Sequence, residues 1–177
     1  MEALDYVTLE FPAMPAALAN KAVETVLITE PMATTAVDLG VGDRWLNMAQ
    51  LAGRAVVATG ILAGPTFLAK GNGETAKRWM KAYLRGAQEY HRAFILNHDP
   101  ALRAELISIL VKTTSIGDPA LFDRMTYAVI PPDGVLDEGS IRDQLAYWES
   151  TGVAVPPLEM LVDPRPAREA NAELRRR

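Results

Sequence analysis

The predicted fold rests on residues 14–40, MPAALANKAVETVLITEPMATTAVDLG. Pro15 suits the first turn of a helix, because the N–H groups there have no intrahelical partner to lose. Residues 23–29 are apolar and β-branched, which predicts a strand covered on both faces. Pro31 is placed to begin a second helix and Gly40 to end it. The stretch therefore predicts helix, strand and helix, with the strand ending at the ligand-binding edge of a parallel sheet.

Residues 14–40 also resemble part of a known protein family. The shared pattern is apolar-Pro, a short helix containing Ala-Leu, an acidic residue before an apolar strand, and Glu-Pro before a helix that ends in glycine. The matching positions are Met14, Pro15, Ala17, Leu18, Val23, Glu24, Glu30, Pro31 and Gly40. The pattern is similar to ABC-transporter solute-binding proteins for nitrate, sulfonate, taurine and thiamine-precursor-like ligands, although Glu24 stands where the family more often has Asp. The resemblance resumes at residues 127–152 and 161–163 and covers the second half of such a protein.

The fold that this resemblance implies is part of a type 2 periplasmic binding fold. For this chain it is a helix-rich α/β domain over residues 1–163, with a small, mainly parallel sheet, and a polar C-terminal tail over residues 164–177. Further strands or extended segments are expected at residues 6–11, 44–50, 54–63 and 160–162. Helices are expected at residues 74–96, after Asp99-Pro100, at Asp118-Pro119, and from Asp137 or Ser140 to Gly152.

The function that the resemblance implies is non-catalytic. The chain would be a small-solute-binding component of ABC-type uptake, with a small-molecule ligand and an ABC transporter permease as partners and no cofactor. The residues that the resemblance places close to the ligand are Met14, Glu30, Pro31, Thr59 and Gly60. For Glu30 a second interpretation has equal weight, namely a carboxylate that caps a helix start. The resemblance implies a periplasmic or membrane-associated location.

Composition and charge narrow the function classes further. A net charge of −4 and a pI near 5.2 argue against nucleic-acid binding. The chain has no cysteine, which excludes disulfides, thiolate metal sites and cysteine nucleophiles. No apolar run approaches the ~20 residues of a membrane span. The first residues lack the basic and apolar regions of a signal peptide, which predicts a cytoplasmic protein if this N-terminus is genuine.

The sequence contains no catalytic motif in a supporting context, so no enzymatic activity is predicted. Residues 71–76 match G-x-G-x-x-A, but two helices follow instead of a helix and a strand, so a capping turn is the preferred interpretation. Neither His91 nor His98 is placed with a second ligand or a partner for base catalysis, and no metal site is predicted. Two alternatives stay open. One is a degenerate or truncated half-protein that acts as an interaction or homodimerisation domain. The other, disfavoured by the absence of cysteine, is a relative that makes a thiamine pyrimidine.

Overall fold

The described structure is built from helices. The computed structural model describes residues 4–52, 56–69 and 73–176. Its α-helices in chain order are α1 (Met14–Ala19), α2 (Met32–Asp38), α3 (Met48–Ala52), α4 (Pro65–Ala69), α5 (Gly73–Tyr90), α6 (Pro100–Thr113), α7 (Glu138–Ser150), α8 (Leu158–Leu161) and α9 (Arg165–Leu174). Shorter turns of 3₁₀ helix lie at Phe11–Ala13 and Pro119–Asp123. No strand or sheet occurs in these ranges, so the prediction of an α/β fold with a mainly parallel sheet is wrong.

The segments predicted as strands take other forms. Residues 6–10, 23–29 and 56–63 are irregular, and two further segments contain helices, α3 and α8. Residues 54 and 55 of one predicted strand lie outside the described ranges. A strand requires a neighbour whose N–H and C=O groups it can pair with. The described backbone of residues 23–28 makes no such pair, and Leu27 is 72% exposed. The apolar, β-branched composition of these segments therefore predicted strands, but the described residues provide no second strand with which they could pair.

Contacts divide the chain into two compact units, Met1–Leu46 with Ala104–Ala128 and Asn47–Arg103 with Val129–Arg177. In the first unit α1 packs against α2. Thr34 and Ala36 of α2 are buried, as is Phe122 in the 3₁₀ turn. The Tyr127 hydroxyl donates a hydrogen bond to the carbonyl of Phe122 and closes that turn. The buried centre of this unit is small because the helices that form it are short.

The second unit is organised by the packing of α9 against α5. The buried side chains at this contact are small or aliphatic, namely Leu84, Ala87, Ala167 and Ala170. The apolar periodicity of residues 74–96 predicted a long amphipathic helix, and α5 confirms it. The helix continues as a π-helical turn at His91–Ile95, which buries Ala93 and Phe94. The wider turn is visible in the hydrogen bond from the Leu96 N–H to the His91 carbonyl at 2.9 Å.

The C-terminal segment, which the sequence analysis described as a polar tail, contains α9. Its small residues face α5, and Glu173 accepts hydrogen bonds or ion pairs from Lys81 at 2.6 Å and Lys77 at 3.0 Å. In the sequence these alanines stand at three-residue spacing among charged residues. The apolar face that they form is too small to predict that the helix packs against another element. The face is buried because it packs against α5. No local sequence pattern identifies α5 as the partner of this helix.

Local signals for helix ends and turns are confirmed. Asp99, Asp118 and Asp137 each accept a hydrogen bond from a first-turn N–H, at 3.0, 2.9 and 3.0 Å. Gly40 and Gly152 follow helix ends at φ +67° and +83°, the left-handed conformation that glycine adopts without strain. These signals depend on the side chain and its immediate neighbours only, and for that reason the sequence contains them.

Candidate functional site

Glu30 is the hydrogen-bonding centre of the first unit. Its Oε2 accepts from the Thr34 N–H at 3.0 Å and from the Thr34 hydroxyl at 2.7 Å. Its Oε1 accepts from Arg44 Nη2 at 2.9 Å and from the Thr126 N–H at 3.2 Å. Because the Thr34 N–H belongs to the first turn of α2, Glu30 caps this helix, as the second interpretation of this residue predicted.

Thr34 joins the two charged side chains. Its side chain is almost fully buried, and its hydroxyl donates to Glu30 while accepting from Arg44 Nη2. A buried hydroxyl is costly unless it is hydrogen-bonded, and here both its donor and acceptor functions are used. The three side chains therefore form a connected network at the start of α2.

The network keeps Glu30 ionised. Partial burial alone would raise the pKa of Glu30, but hydrogen bonds from the Thr34 hydroxyl, Arg44 and the N–H groups of Thr126 and Thr34 outweigh it. The pKa of Glu30 is therefore lowered from its ordinary value. At neutral pH the carboxylate is charged and occupied, and its main effect is to hold Arg44 in place.

Arg44 offers the part of this network that can reach a ligand. Only its Nη2 is engaged by Glu30 and Thr34, and its side chain is 43% exposed. In the described part of the chain, Nε and Nη1 make no hydrogen bond. A guanidinium has five N–H donors, so several remain to bind an acceptor from solvent. The arrangement can therefore present a positive, oriented donor group to an anion.

Met14 and Pro31 lie in the same unit as Glu30. Met14 is the half-buried first residue of α1, and Pro31 immediately precedes α2 after a cis peptide bond with Glu30. The Pro31 carbonyl accepts from the Thr35 N–H at 3.0 Å and from its hydroxyl at 3.1 Å. Three of the five residues that the resemblance places near a ligand are therefore found in one compact unit.

Thr59 and Gly60 belong to the second unit. Both are exposed and lie in the irregular segment between α3 and α4. Nearby, the Val57 N–H donates to Ser140 Oγ at 3.0 Å, and Gln144 Nε2 donates to the Val57 carbonyl at 3.0 Å. These contacts attach the segment to α7 just before Thr59, whose own hydroxyl makes no hydrogen bond among the described residues.

Three residues of this network, Thr34, Arg44 and Thr126, are not among the site residues predicted from the sequence. Thr34 carried a usable signal, since it stands four residues after a glutamate at the start of a helix. Arg44 carried a weaker one, as a basic residue two positions after the turn that follows α2. Thr126 is 96 positions from Glu30, and no local pattern connects the two. Long-range contacts of this kind follow only from the folded arrangement.

Two adjoining depressions mark the surface of the second unit. One of about 340 Å³ is lined by Gln88, Pro132, Asp133, Asn171, Leu174 and Arg175. The other, of about 420 Å³, is lined by Arg85, Gln88, Glu89, His91, Arg92 and Pro132. They share Gln88 and Pro132, whose side-chain amide and carbonyl are hydrogen-bonded at 3.3 Å. None of these residues is predicted from the sequence to belong to a binding site.

The described residue ranges contain neither a candidate metal site nor a candidate membrane span. In those ranges no three of the histidine, aspartate and glutamate side chains cluster in a way that could hold a metal ion. No helix in them has both the length and the apolar character to cross a membrane. Residues 71 and 72 of the G-x-G-x-x-A pattern lie outside the described ranges, and Gly73 begins α5.

The chain was compared with protein-family models, with curated proteins and with solved structures, and none of the three comparisons found a match.

Proposed function

We propose that this chain is a non-catalytic, small-solute-binding component related to ABC-type uptake, and that its ligand carries an oxyanion group such as nitrate or a sulfonate. The class of ligand comes from the sequence resemblance at residues 14–40. The observation that carries the proposal is the fixed, half-exposed guanidinium of Arg44 beside Glu30 and Pro31.

The chemistry of the first unit supports an anionic ligand bound by Arg44. Glu30 itself would repel an anion, but its carboxylate is occupied by its four donors. Its negative charge orients Arg44, whose remaining N–H groups donate strongly to oxyanions. A preoriented guanidinium loses less side-chain entropy on binding than a mobile one.

A thermal-shift panel tests the ligand class. The full chain would be heated with nitrate, taurine, methanesulfonate and a hydroxymethylpyrimidine, each at several concentrations, beside chloride at equal ionic strength. A ligand that binds the folded state raises the melting temperature in proportion to its occupancy. A rise specific to the nitrate or sulfonate arms supports the proposal. Melting temperatures equal to the chloride control across the whole panel would sink it.

A second candidate function is an interaction domain without a solute, and one observation favours it. Large apolar side chains are exposed in both units, including Tyr6 at 88%, Trp45 at 81% and Leu62 at 95%. Exposed apolar side chains in contiguous groups mark surfaces that bind other proteins. Analytical ultracentrifugation over a concentration series tests this candidate. Self-association without any ligand-induced stabilisation would favour it over solute binding, and a monomer at every concentration would count against homodimerisation.

A further inference from the structure

We propose that the second unit contains a separate anion site, formed by the two adjoining depressions and lined by Arg85, Gln88, His91, Arg92, Pro132 and Arg175. This basic groove binds the oxyanion group of a small molecule, such as a phosphate, a sulfonate or a carboxylate. It uses none of the residues assigned above to the first unit. The inference therefore goes beyond the proposed function and does not depend on it.

The first support is a set of guanidinium groups without counter-ions. Arg85 and Arg92 lie seven residues apart along α5 and its π-helical continuation, which places them on one side of the helix. Glu89 lies between them at spacings that allow ion pairs on a helix. In the described chain neither arginine pairs with Glu89 or with any other carboxylate. The positive charge of this surface is therefore available to a ligand.

The second support is the side chain of His91, which lines the groove. Its Nδ1 is buried and has no hydrogen-bond partner in the described part of the protein. The His91 ring makes no hydrogen bond among the described residues, and a ring N–H can donate to a ligand in the groove that this residue lines.

The third support is the continuity of the groove. Gln88 and Pro132 form the wall that both depressions share, and their hydrogen bond fixes this wall. Across it lie Asn171 and Arg175 at the end of α9. The groove thus presents a third guanidinium beyond the first two arginines, while the Asn171 side-chain amide donates to the Asp133 carbonyl. The carboxylates of Glu89 and Asp133 also line it, and they select against ligands with negative charge at every position.

The test is a titration of the full chain followed by NMR signals of the His91 ring. Inorganic phosphate, methanesulfonate and acetate are the probes, each added at constant ionic strength set with sodium chloride. Saturable movement of the His91 signals is expected with at least one probe, and the three arms identify which oxyanion is preferred. Linear, unsaturable movement with all three would overturn the proposal.

Matched charge variants separate a site from general attraction. Arg85→Gln with Arg92→Gln should weaken binding by roughly tenfold or more, because hydrogen bonds to charged groups are lost. Arg78→Gln with Arg142→Gln removes two exposed charges of the same unit that do not line the groove, and should leave the affinity unchanged. Equal weakening by the two double variants would show a non-specific charge effect and overturn the proposal.

A first-unit variant keeps this proposal distinguishable from the proposed function. Arg44→Gln removes the guanidinium beside Glu30 but leaves the basic groove intact. The His91 titration should be the same in this variant as in the unaltered protein. Loss of the His91 response in Arg44→Gln would contradict an independent site. A thermal-shift response to nitrate or sulfonate that is the same in Arg44→Gln as in the unaltered protein would contradict the proposed function and leave the groove proposal standing.

Discussion

At the scale of the residue, Glu30 caps a helix and at the same time orients a charged side chain, Arg44. The resemblance placed it near a ligand, and elementary helix chemistry placed it at a cap. The structure confirms the cap through the Thr34 N–H at 3.0 Å. The ligand role is now proposed for Arg44, which Glu30 orients at 2.9 Å. A carboxylate that holds a cation is thus compatible with an anionic ligand nearby.

Glu30→Gln should destabilise the protein by about 1–2 kcal/mol at neutral pH, since charge-assisted hydrogen bonds are replaced by neutral ones. The pKa of Glu30 is lower in the folded protein than its ordinary value of 4.5. Its contribution to stability is therefore complete above that value and is lost as the pH falls towards the lower folded-state pKa. Urea unfolding at a series of pH values measures this, and the difference between the variant and the parent should shrink in acid. A difference that stays constant on acidification would contradict the assignment.

Gly134 is the residue whose replacement the structure penalises most clearly. Gly134 has φ +67°, and a Cβ added to it would lie 2.8 Å from Cδ2 of Leu84, a buried residue of α5. Gly134→Ala should therefore cost about 1–3 kcal/mol through strain and overpacking. The matched control is Gly86→Ala within α5, where nothing lies within 4 Å of the added atom. That variant should be stabilising by about 0.5–1 kcal/mol. Chemical denaturation compares them, and equal effects would contradict the packing described here.

At the scale of the element, the sequence predicted the features that depend on adjacent residues. It did not predict the features that depend on residues distant in the chain. Asp99, Asp118 and Asp137 cap helices because each side chain reaches an N–H two or three positions ahead. The periodicity of α5 is equally local. Whether residues 23–29 form a strand depends on a neighbouring strand, and none is present in the described chain. The Arg44–Glu30 contact bridges 14 positions, and the Thr126–Glu30 contact bridges 96, which no periodic pattern encodes.

At the contact between α5 and α9, Glu173 forms ion pairs with Lys77 and Lys81, and these three residues form an electrostatic clasp. Hydrogen bonds from Lys81 and Lys77 lower the pKa of Glu173 to about 2. Since the folded-state pKa is depressed, the clasp stabilises α9 fully above the ordinary pKa of 4.5 and is lost as the pH falls towards 2. Glu173→Gln should lower the melting temperature slightly at low salt, and the difference should diminish at high salt because exposed charges are screened.

Differential scanning calorimetry at two salt concentrations measures this effect. Glu169→Gln is the matched control, because it removes the same charge from α9 and Glu169 pairs with no lysine among the described residues. A salt-independent loss of stability in Glu173→Gln, or an equal loss in Glu169→Gln, would contradict the clasp.

At the scale of the whole molecule, the correction of the fold is itself testable. Far-UV circular dichroism of the full chain should show a helical spectrum without a β component, since the described segments outside the helices are irregular. A substantial β contribution would contradict the helical description. Exposed side chains such as Tyr6, Trp45 and Leu62 also show that each unit leaves apolar surface to solvent. That surface is where an interaction function would operate, whereas solute binding would operate at Arg44.

Isothermal titration calorimetry of the full chain, with the ligand that stabilises it most in the thermal-shift panel, measures whether Arg44 binds a solute. Arg44→Lys keeps the positive charge but removes the planar group that can hold Glu30 and Thr34 and still donate to a ligand. We predict saturable binding to the unaltered protein, affinity lower by roughly tenfold in Arg44→Lys, and unchanged affinity in the exposed control Arg142→Lys. Equal affinities in all three proteins would contradict the assignment of solute binding to Arg44.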